Sequence, residues 1–316
     1  MSKPKSAPAK RNLTVPILLL LGGGIIYASF FSANRVAIGA GVPPMALAFW
    51  QAFFGGFGLL IFSAVIRQLP GTSFAHLRQY TVAAIIGFSI PLMALTVVSG
   101  KLPAGVLTLV VTLTPALTYL FAFLARLDRF NLWSIGGVAL GLVGVLLIVL
   151  PAGSLGAEFS PAWLLLGLVA PLGYAANNVS VVFLRPAQTT SLHLSTGVLL
   201  VATVVLLPVM LVVDGAFVFS GLEAKAVWST AWAGFTNVVI FLSLFEIIRR
   251  AGPVFFAQFS YVVVVAGIVW ARIIFSDTFS GWVWAAIAVM AVGLVLANAG
   301  TSKSAKAIKA EAAKAD

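Results

Sequence analysis

Residues 131–150 read Asn131-Leu132-Trp133-Ser134-Ile135-Gly136-Gly137-Val138-Ala139-Leu140-Gly141-Leu142-Val143-Gly144-Val145-Leu146-Leu147-Ile148-Val149-Leu150. The stretch carries no charge, and roughly 20 apolar residues are what an α-helix needs to cross the hydrocarbon core of a bilayer. A membrane-spanning β-strand would alternate apolar and polar residues. Val143–Val149 is apolar throughout, so the segment predicts a transmembrane helix.

The whole chain repeats that texture. Of 316 residues, 61% are hydrophobic and only 9% charged, with a mean hydropathy of +1.10. A soluble domain carries about 25% charged residues, so a soluble enzyme is excluded, as are collagen, coiled coil and disorder. Ten apolar runs follow, at 14–36, 44–66, 78–99, 103–125, 131–150, 162–184, 191–213, 226–248, 253–275 and 281–299. Several open on proline in the first turn, where the missing N–H costs nothing: Pro44, Pro103, Pro161 and Pro253. The fold class is therefore all-α, a polytopic membrane protein of ten transmembrane helices.

The net charge of +11 raises the question of nucleic acid, but the basic residues crowd the tails and alternate short loops, the mark of cytoplasmic loops. With the N-terminus inside, the inner segments hold 15 Lys and Arg. The outer ends hold 4: Arg35, Lys101, Lys225 and Arg272. The positive-inside rule puts both termini in the cytoplasm of a cell (inner) membrane protein. Trp163, Trp228, Trp232, Trp282 and Trp284 begin outer ends of helices, as an interfacial belt does. The basic segment Met1–Asn12 runs into an apolar stretch without a cleavage signature, so it reads as a tail before a retained first helix. The Ala/Lys-rich C-terminal tail is expected at the inner leaflet, against anionic lipid.

Just before the opening stretch stands Asp128-Arg129-Phe130-Asn131-Leu132-Trp133, and 149 residues later Asp277-Thr278-Phe279-Ser280-Gly281-Trp282 repeats its D-x-F-x-x-W. Gly144 and Gly293 continue that register. Upstream the offset is 147: Tyr27-Ala28 with Tyr174-Ala175, Gly87-Phe88-Ser89 with Gly234-Phe235-Thr236, Ala104-Gly105 with Ala251-Gly252. The repeat unit contains five spans. Five is odd, so the second copy must enter the membrane from the opposite side. The organisation expected is a cytoplasmic tail over 1–13, a five-helix repeat over 14–150, an inverted repeat over 161–299 and a second cytoplasmic tail over 300–316. Inverted repeats are the architecture of alternating-access transporters, with the substrate near the midplane between halves.

The chain resembles the drug/metabolite transporter superfamily, specifically its EamA-like branch. The likeness covers nearly all of residues 14–299. It rests on the ten spans, on the two halves, on Pro44-Met45-Ala46-Leu47-Ala48-Phe49-Trp50, on Ala104-Gly105 followed by Pro115, and on Asp128–Gly144 with its copy Asp277–Gly293. It departs from the family's pattern where the acidic turns carry Asp128 and Asp277 instead of Glu, where Gln51 stands in place of a frequent Arg, and where Val264 stands in place of a frequent Pro. The resemblance implies a central cavity lined by helices one to four and six to nine, with five and ten at the periphery. It also implies a substrate among amino acids, other metabolites or sugar phosphates.

The residues offer no metal or nucleophile constellation. There is no Cys, only His76 and His193, and no H-E-x-x-H, P-loop or G-x-S-x-G, so an enzyme is the weaker class and neither cofactor nor metal is expected. Polar groups at membrane depth are costly and mark functional sites by default. The substrate-binding candidates are Tyr27 and Asn34 in the first span, Trp50 and Gln51 in the second, and Tyr174, Asn177 and Asn178 in the sixth. Asn237 in the eighth and Gln258, Tyr261 and Arg272 in the ninth complete the set. Spacings of three, four, seven and fourteen residues put Tyr27 with Asn34, Tyr174 with Asn177 and Asn178, and Gln258 with Tyr261 and Arg272, each set on one helix face. The competing reading is interhelical hydrogen bonding, and for Arg35 and Arg272 snorkelling to the headgroups. Gating is expected where both halves weaken the same helix, at Gly23 within Gly22-Gly23-Gly24 and at Pro171 in the aligned Val169-Ala170-Pro171, and at Pro115. Asp128 and Asp277 are expected to cap the following helices, and Glu246 to pair with Arg249 or Arg250. Gly137-x-x-x-Gly141 reads as close helix packing, with a homodimer through helices five and ten as one outcome.

The function expected is secondary transport, most simply export, of small organic metabolites such as amino acids or related amphipathic solutes. The alternatives are a membrane receptor or structural subunit using the fold without transport, and a carrier of phosphorylated solutes. The partners expected are a small-molecule substrate and the lipid bilayer, with no nucleic acid.

Overall fold

The computed structural model describes residues 14–111, 113–127, 132–149, 160–187, 189–251, 259–293 and 295–296. Among them lie ten helical stretches: α1 Thr14–Gly39, α2 Pro44–Val65, α3 Phe74–Ser99, α4 Ala104–Leu124, α5 Leu132–Val149, α6 Pro161–Leu184, α7 Ser191–Val213, α8 Ala224–Ala251, α9 Phe259–Phe275 and α10 Gly281–Gly293. Seven are long and apolar enough to cross a membrane: α1–α4, α6, α7 and the Ala224–Leu244 part of α8. The described residues contain no strand. This is an all-helical, multi-pass membrane protein. The tails, Asp128, Ser154 and Gln258 lie outside the described residues.

The reason is the one that governs every backbone in lipid: a helix satisfies its own N–H and C=O groups, and apolar side chains can then face outward. Leu18, Phe62, Val182, Val204 and Val212 do so. Inside sits a large core containing Phe30, Phe31, Leu95, Leu107, Leu199 and Leu206, each almost fully buried, with a smaller cluster of Ala37, Val42, Leu47 and Ala226 beside it.

Proline sets the local irregularities. Pro91 has no N–H to offer the carbonyl four residues back, and just before it α3 widens into a π-helical turn over Ile85–Ser89. In α4 a turn at Leu113 precedes Pro115. In α6 a turn at Leu168 precedes Pro171, with the Leu168 N–H shared between the Leu164 and Leu165 carbonyls. The expected gates at Pro115 and Pro171 thus coincide with real interruptions. The expected weakening at Gly22-Gly23-Gly24 does not occur, for α1 runs unbroken from Thr14 to Gly39. The glycines serve proximity instead. A Cβ on Gly23 would sit 2.5 Å from Ser243 Oγ, and one on Gly24 2.8 Å from Val262 Cγ1, so their bareness lets α8 and α9 close onto α1.

The helices pack across the chain more than along it. The major packings are α1 on α8 and α9, α2 on α7 and α8, α3 on α6 and α7, and α4 on α6 and α9. The glycines of α5 and α10 face each other: a Cβ on Gly144 would strike Met290 Cγ at 2.2 Å, and one on Gly293 would meet the Gly137 carbonyl at 2.8 Å. The Gly137-x-x-x-Gly141 stripe therefore does pack closely, and against α10 of its own chain.

Candidate functional site

Where α1, α2 and α8 meet, three amides join in line. Gln51 donates from Nε2 to Asn34 Oδ1 at 2.8 Å, and Asn237 donates from Nδ2 to Gln51 Oε1 at 3.4 Å. All three side chains are buried. The second distance marks a longer, weaker bond than the first. Close approach comes from Gly234, whose hydrogen faces the Gln51 backbone; a Cβ there would lie 3.2 Å from the Gln51 carbonyl. The chain ends on an unused group, since the Nδ2 of Asn34 has no hydrogen-bond partner among the described residues.

Seven residues earlier on α1, about 10 Å along its axis, the side chain of Tyr27 meets that of Tyr174 of α6. Phe30, Phe31 and Phe259 surround the Tyr27 ring, with centroids 5.7, 6.1 and 6.3 Å away. Three residues beyond Tyr174, Asn177 packs onto Gly87 in the π-helical turn of α3, where any Cβ would overlap it. Asn177 Oδ1 and Ser89 Oγ are both buried without a hydrogen-bond partner among the described residues.

The remaining candidates lie elsewhere. Trp50 donates to the Phe217 carbonyl at 3.3 Å in the α7–α8 connection. Asn178 is exposed and donates to Thr118 Oγ1 at 3.1 Å. Thr108 and Thr118 both turn back to carbonyls of their own helix, Ala104 and Thr114. Arg272 is exposed and donates to the Asp277 carbonyl at 3.3 Å. Tyr261 belongs to α9, but its side chain, like Gln258 as a whole, lies outside the description. Glu246 pairs with Arg250 one turn on. Asp277 does not cap α10; its carboxylate holds Arg35 Nη1 at 2.6 Å.

Two contacts had no signal in the sequence. Asp214, at the end of α7, accepts the Ala46 N–H at 2.7 Å and so places a negative charge at the N-terminus of α2. His76 bridges Ser73 Oγ at 2.7 Å and Thr189 Oγ1 at 3.1 Å, tying the start of α3 to the α6–α7 connection. The Asp214–Ala46 and His76–Thr189 bonds join residues more than 100 positions apart, beyond the reach of local pattern.

A buried polar line at a junction of apolar membrane helices is what a solute carrier needs, and the sequence profile of the EamA-like transporter family matches residues 14–150. Residues 14–150 belong to the EamA-like transporter family. That family lies within the drug/metabolite transporter superfamily, whose members are membrane transporters rather than enzymes. The EamA-like segment supplies Asn34 and Gln51, while Asn237 comes from beyond it. A solved structure, described only as the crystal structure of a protein, is similar over 92% of this chain and 98% of its own at 18% identity and a TM-score of 0.65. At that identity the likeness speaks for the fold alone. No curated protein matches the chain.

Proposed function

We propose that the chain is a ten-span secondary transporter working by alternating access between two inverted five-helix halves, 14–150 and 161–299. In this reading it exports small organic metabolites such as amino acids or related amphipathic solutes across the inner membrane, with both termini in the cytoplasm. The observation that carries the reading is the buried line Asn34–Gln51–Asn237, which crosses between the halves and ends on an unused donor. Its repeat-related positions, Val181, Val198 and Ile90, are apolar. Symmetry of scaffold therefore does not account for the amides, whereas solute recognition does. The aromatic neighbours Tyr27, Tyr174 and Phe259 suit an amphipathic solute better than a bare ion.

Two kinds of contact support inverted halves. Tyr27 meets Tyr174, its own copy at the 147 offset, a pairing that arises on a two-fold axis. Gly144 against Met290 and Gly293 against Gly141 exchange with one another at the 149 offset. The major packings also map onto themselves when each helix is exchanged for the one five places on: α1 on α8 with α6 on α3, α1 on α9 with α6 on α4, α2 on α8 with α7 on α3. The glycine faces of α5 and α10 meet each other, so a homodimer would use the outward faces of that pair.

Topology is testable cleanly because the chain has no Cys. Single Cys substitutions at Ser73 and Ser154 are expected to react with an impermeant thiol reagent from opposite sides of the membrane. Labelling of both from one side removes the inverted arrangement.

Transport itself is expected as solute flux in proteoliposomes that needs no proton gradient. A proton carrier requires a titrating group that changes its access, and the carboxylate inside an apolar run, Glu246, is engaged by Arg250. A cell that accumulates the solute supplies the gradient for its export. Uphill accumulation driven by a pH gradient at matched membrane potential, and lost in Glu246→Gln, would reverse this assignment.

A further inference from the structure

The four basic residues at the outer ends of the apolar runs converge in the fold. A cavity of about 410 Å³ is lined by Arg35, Val36, Ile38, Gly39, Gly100, Lys225 and Phe275. Lys101 follows Gly100, its ammonium 5.7 Å from the centre of the Trp163 ring. Arg272 reaches the Asp277 carbonyl. Among the described residues two carboxylates oppose these four cations: Asp277 on Arg35, and Glu223 on Lys225 at 2.8 Å.

The guanidinium of Arg35 lies 4.1 Å from the centre of the Phe275 ring, which fixes its plane. Asp277 occupies Nη1, and among the described residues the other N–H groups of Arg35 have no hydrogen-bond partner. A guanidinium presents five donors in a fork that matches a carboxylate. The group already seated on that fork is a carboxylate.

We propose that this cavity is a docking site for the carboxylate of a small solute, with Arg35 as the recognising residue and Asp277 as an internal carboxylate that the solute displaces. Val36, Ile38 and Phe275 give the solute's apolar body a wall. Arg35 directly follows Asn34, so the docked carboxylate stands at the outer end of the amide line. The role in transport rests on the transporter reading, whereas the existence of the site does not, and the test below needs no flux.

Gly39 lines the cavity, and a Cβ there meets nothing within 4 Å, so Gly39→Cys installs a single thiol without a clash. In phosphatidylcholine nanodiscs, its reaction rates with a sulfonate-bearing and a trimethylammonium-bearing methanethiosulfonate are compared, each normalised to a free thiol. The anionic reagent is expected to be favoured by about threefold or more. Adding Arg35→Gln should abolish the preference, and adding Asp277→Asn should enlarge it. Millimolar benzoate should slow labelling severalfold, and benzamide should not. A rate ratio indifferent to charge, or unchanged by Arg35→Gln, overturns the proposal. So does protection by phosphatidylglycerol in the disc without protection by benzoate, which would make the occupant a lipid phosphate.

Discussion

Gln51→Leu is expected to reduce solute flux in proteoliposomes by at least about tenfold while the protein still inserts and can be purified. Leucine keeps most of the volume of Gln51 and removes both of its hydrogen bonds. Asn34 Oδ1 and Asn237 Nδ2 then lose their partners together. Interhelical hydrogen bonds in membranes average about 0.6 kcal/mol, with a maximum near 1.7, so the stability loss should stay within about 2 kcal/mol. A tenfold change in flux corresponds to about 1.4 kcal/mol at the barrier, and it falls on the line that would orient the solute. The measurement pairs initial flux with unfolding in a mild detergent titrated with SDS. Flux equal to the parent, with only the small stability loss, would make the three amides packing groups and remove the site.

Gly173→Leu is expected to have the largest structural effect. Gly173 stands between Pro171 and Tyr174 on α6, against the π-helical turn of α3. Its Cβ would lie 2.6 Å from the Ile86 carbonyl oxygen and 2.6 Å from Pro91 Cγ. Backbone and a proline ring cannot move aside as a flexible side-chain end does, so α3 and α6 must separate. Overpacking costs typically 1–3 kcal/mol, and here the upper part of that range is expected, with lower yield and a lowered midpoint in detergent. By contrast Gly22→Leu, where a Cβ meets nothing within 4 Å, should be nearly neutral. Equal behaviour of the two variants would mean that α3 and α6 are not in this contact.

The amides of the site were legible because charge-poor helices make every buried amide conspicuous. Asn237 stood out for its depth, Asn34 for its spacing from Tyr27, and Gln51 for standing where the resembled family often has Arg. That they form one line, while Asn178 turns outward to Thr118, was not legible, since helical periodicity assigns a face to a residue but not the neighbour across from it. Arg35 shows the same limit. Its sequence position suggested a snorkelling cation, whereas the fold gives it Asp277, 242 positions away. Asp277 in turn looked like a cap because its motif precedes a helix, but an ion pair across the fold outweighed a local cap. The triple glycine of α1 suggested a weak point, because glycine lowers helix propensity in isolation. Packing against α8 and α9 holds that turn in the helix.

The sequence by itself determined that the chain is helical and spans a membrane, because runs of apolar residues in lipid leave the backbone no other way to satisfy its polar groups. It also contained residue matches at offsets of 147 and 149, and the prolines that interrupt α3, α4 and α6. Only the tertiary structure decided which helices meet, which cations are paired and which donor is left unused. Those are contacts between distant residues, and in a uniformly apolar chain the local pattern is the same whichever neighbour a helix finds.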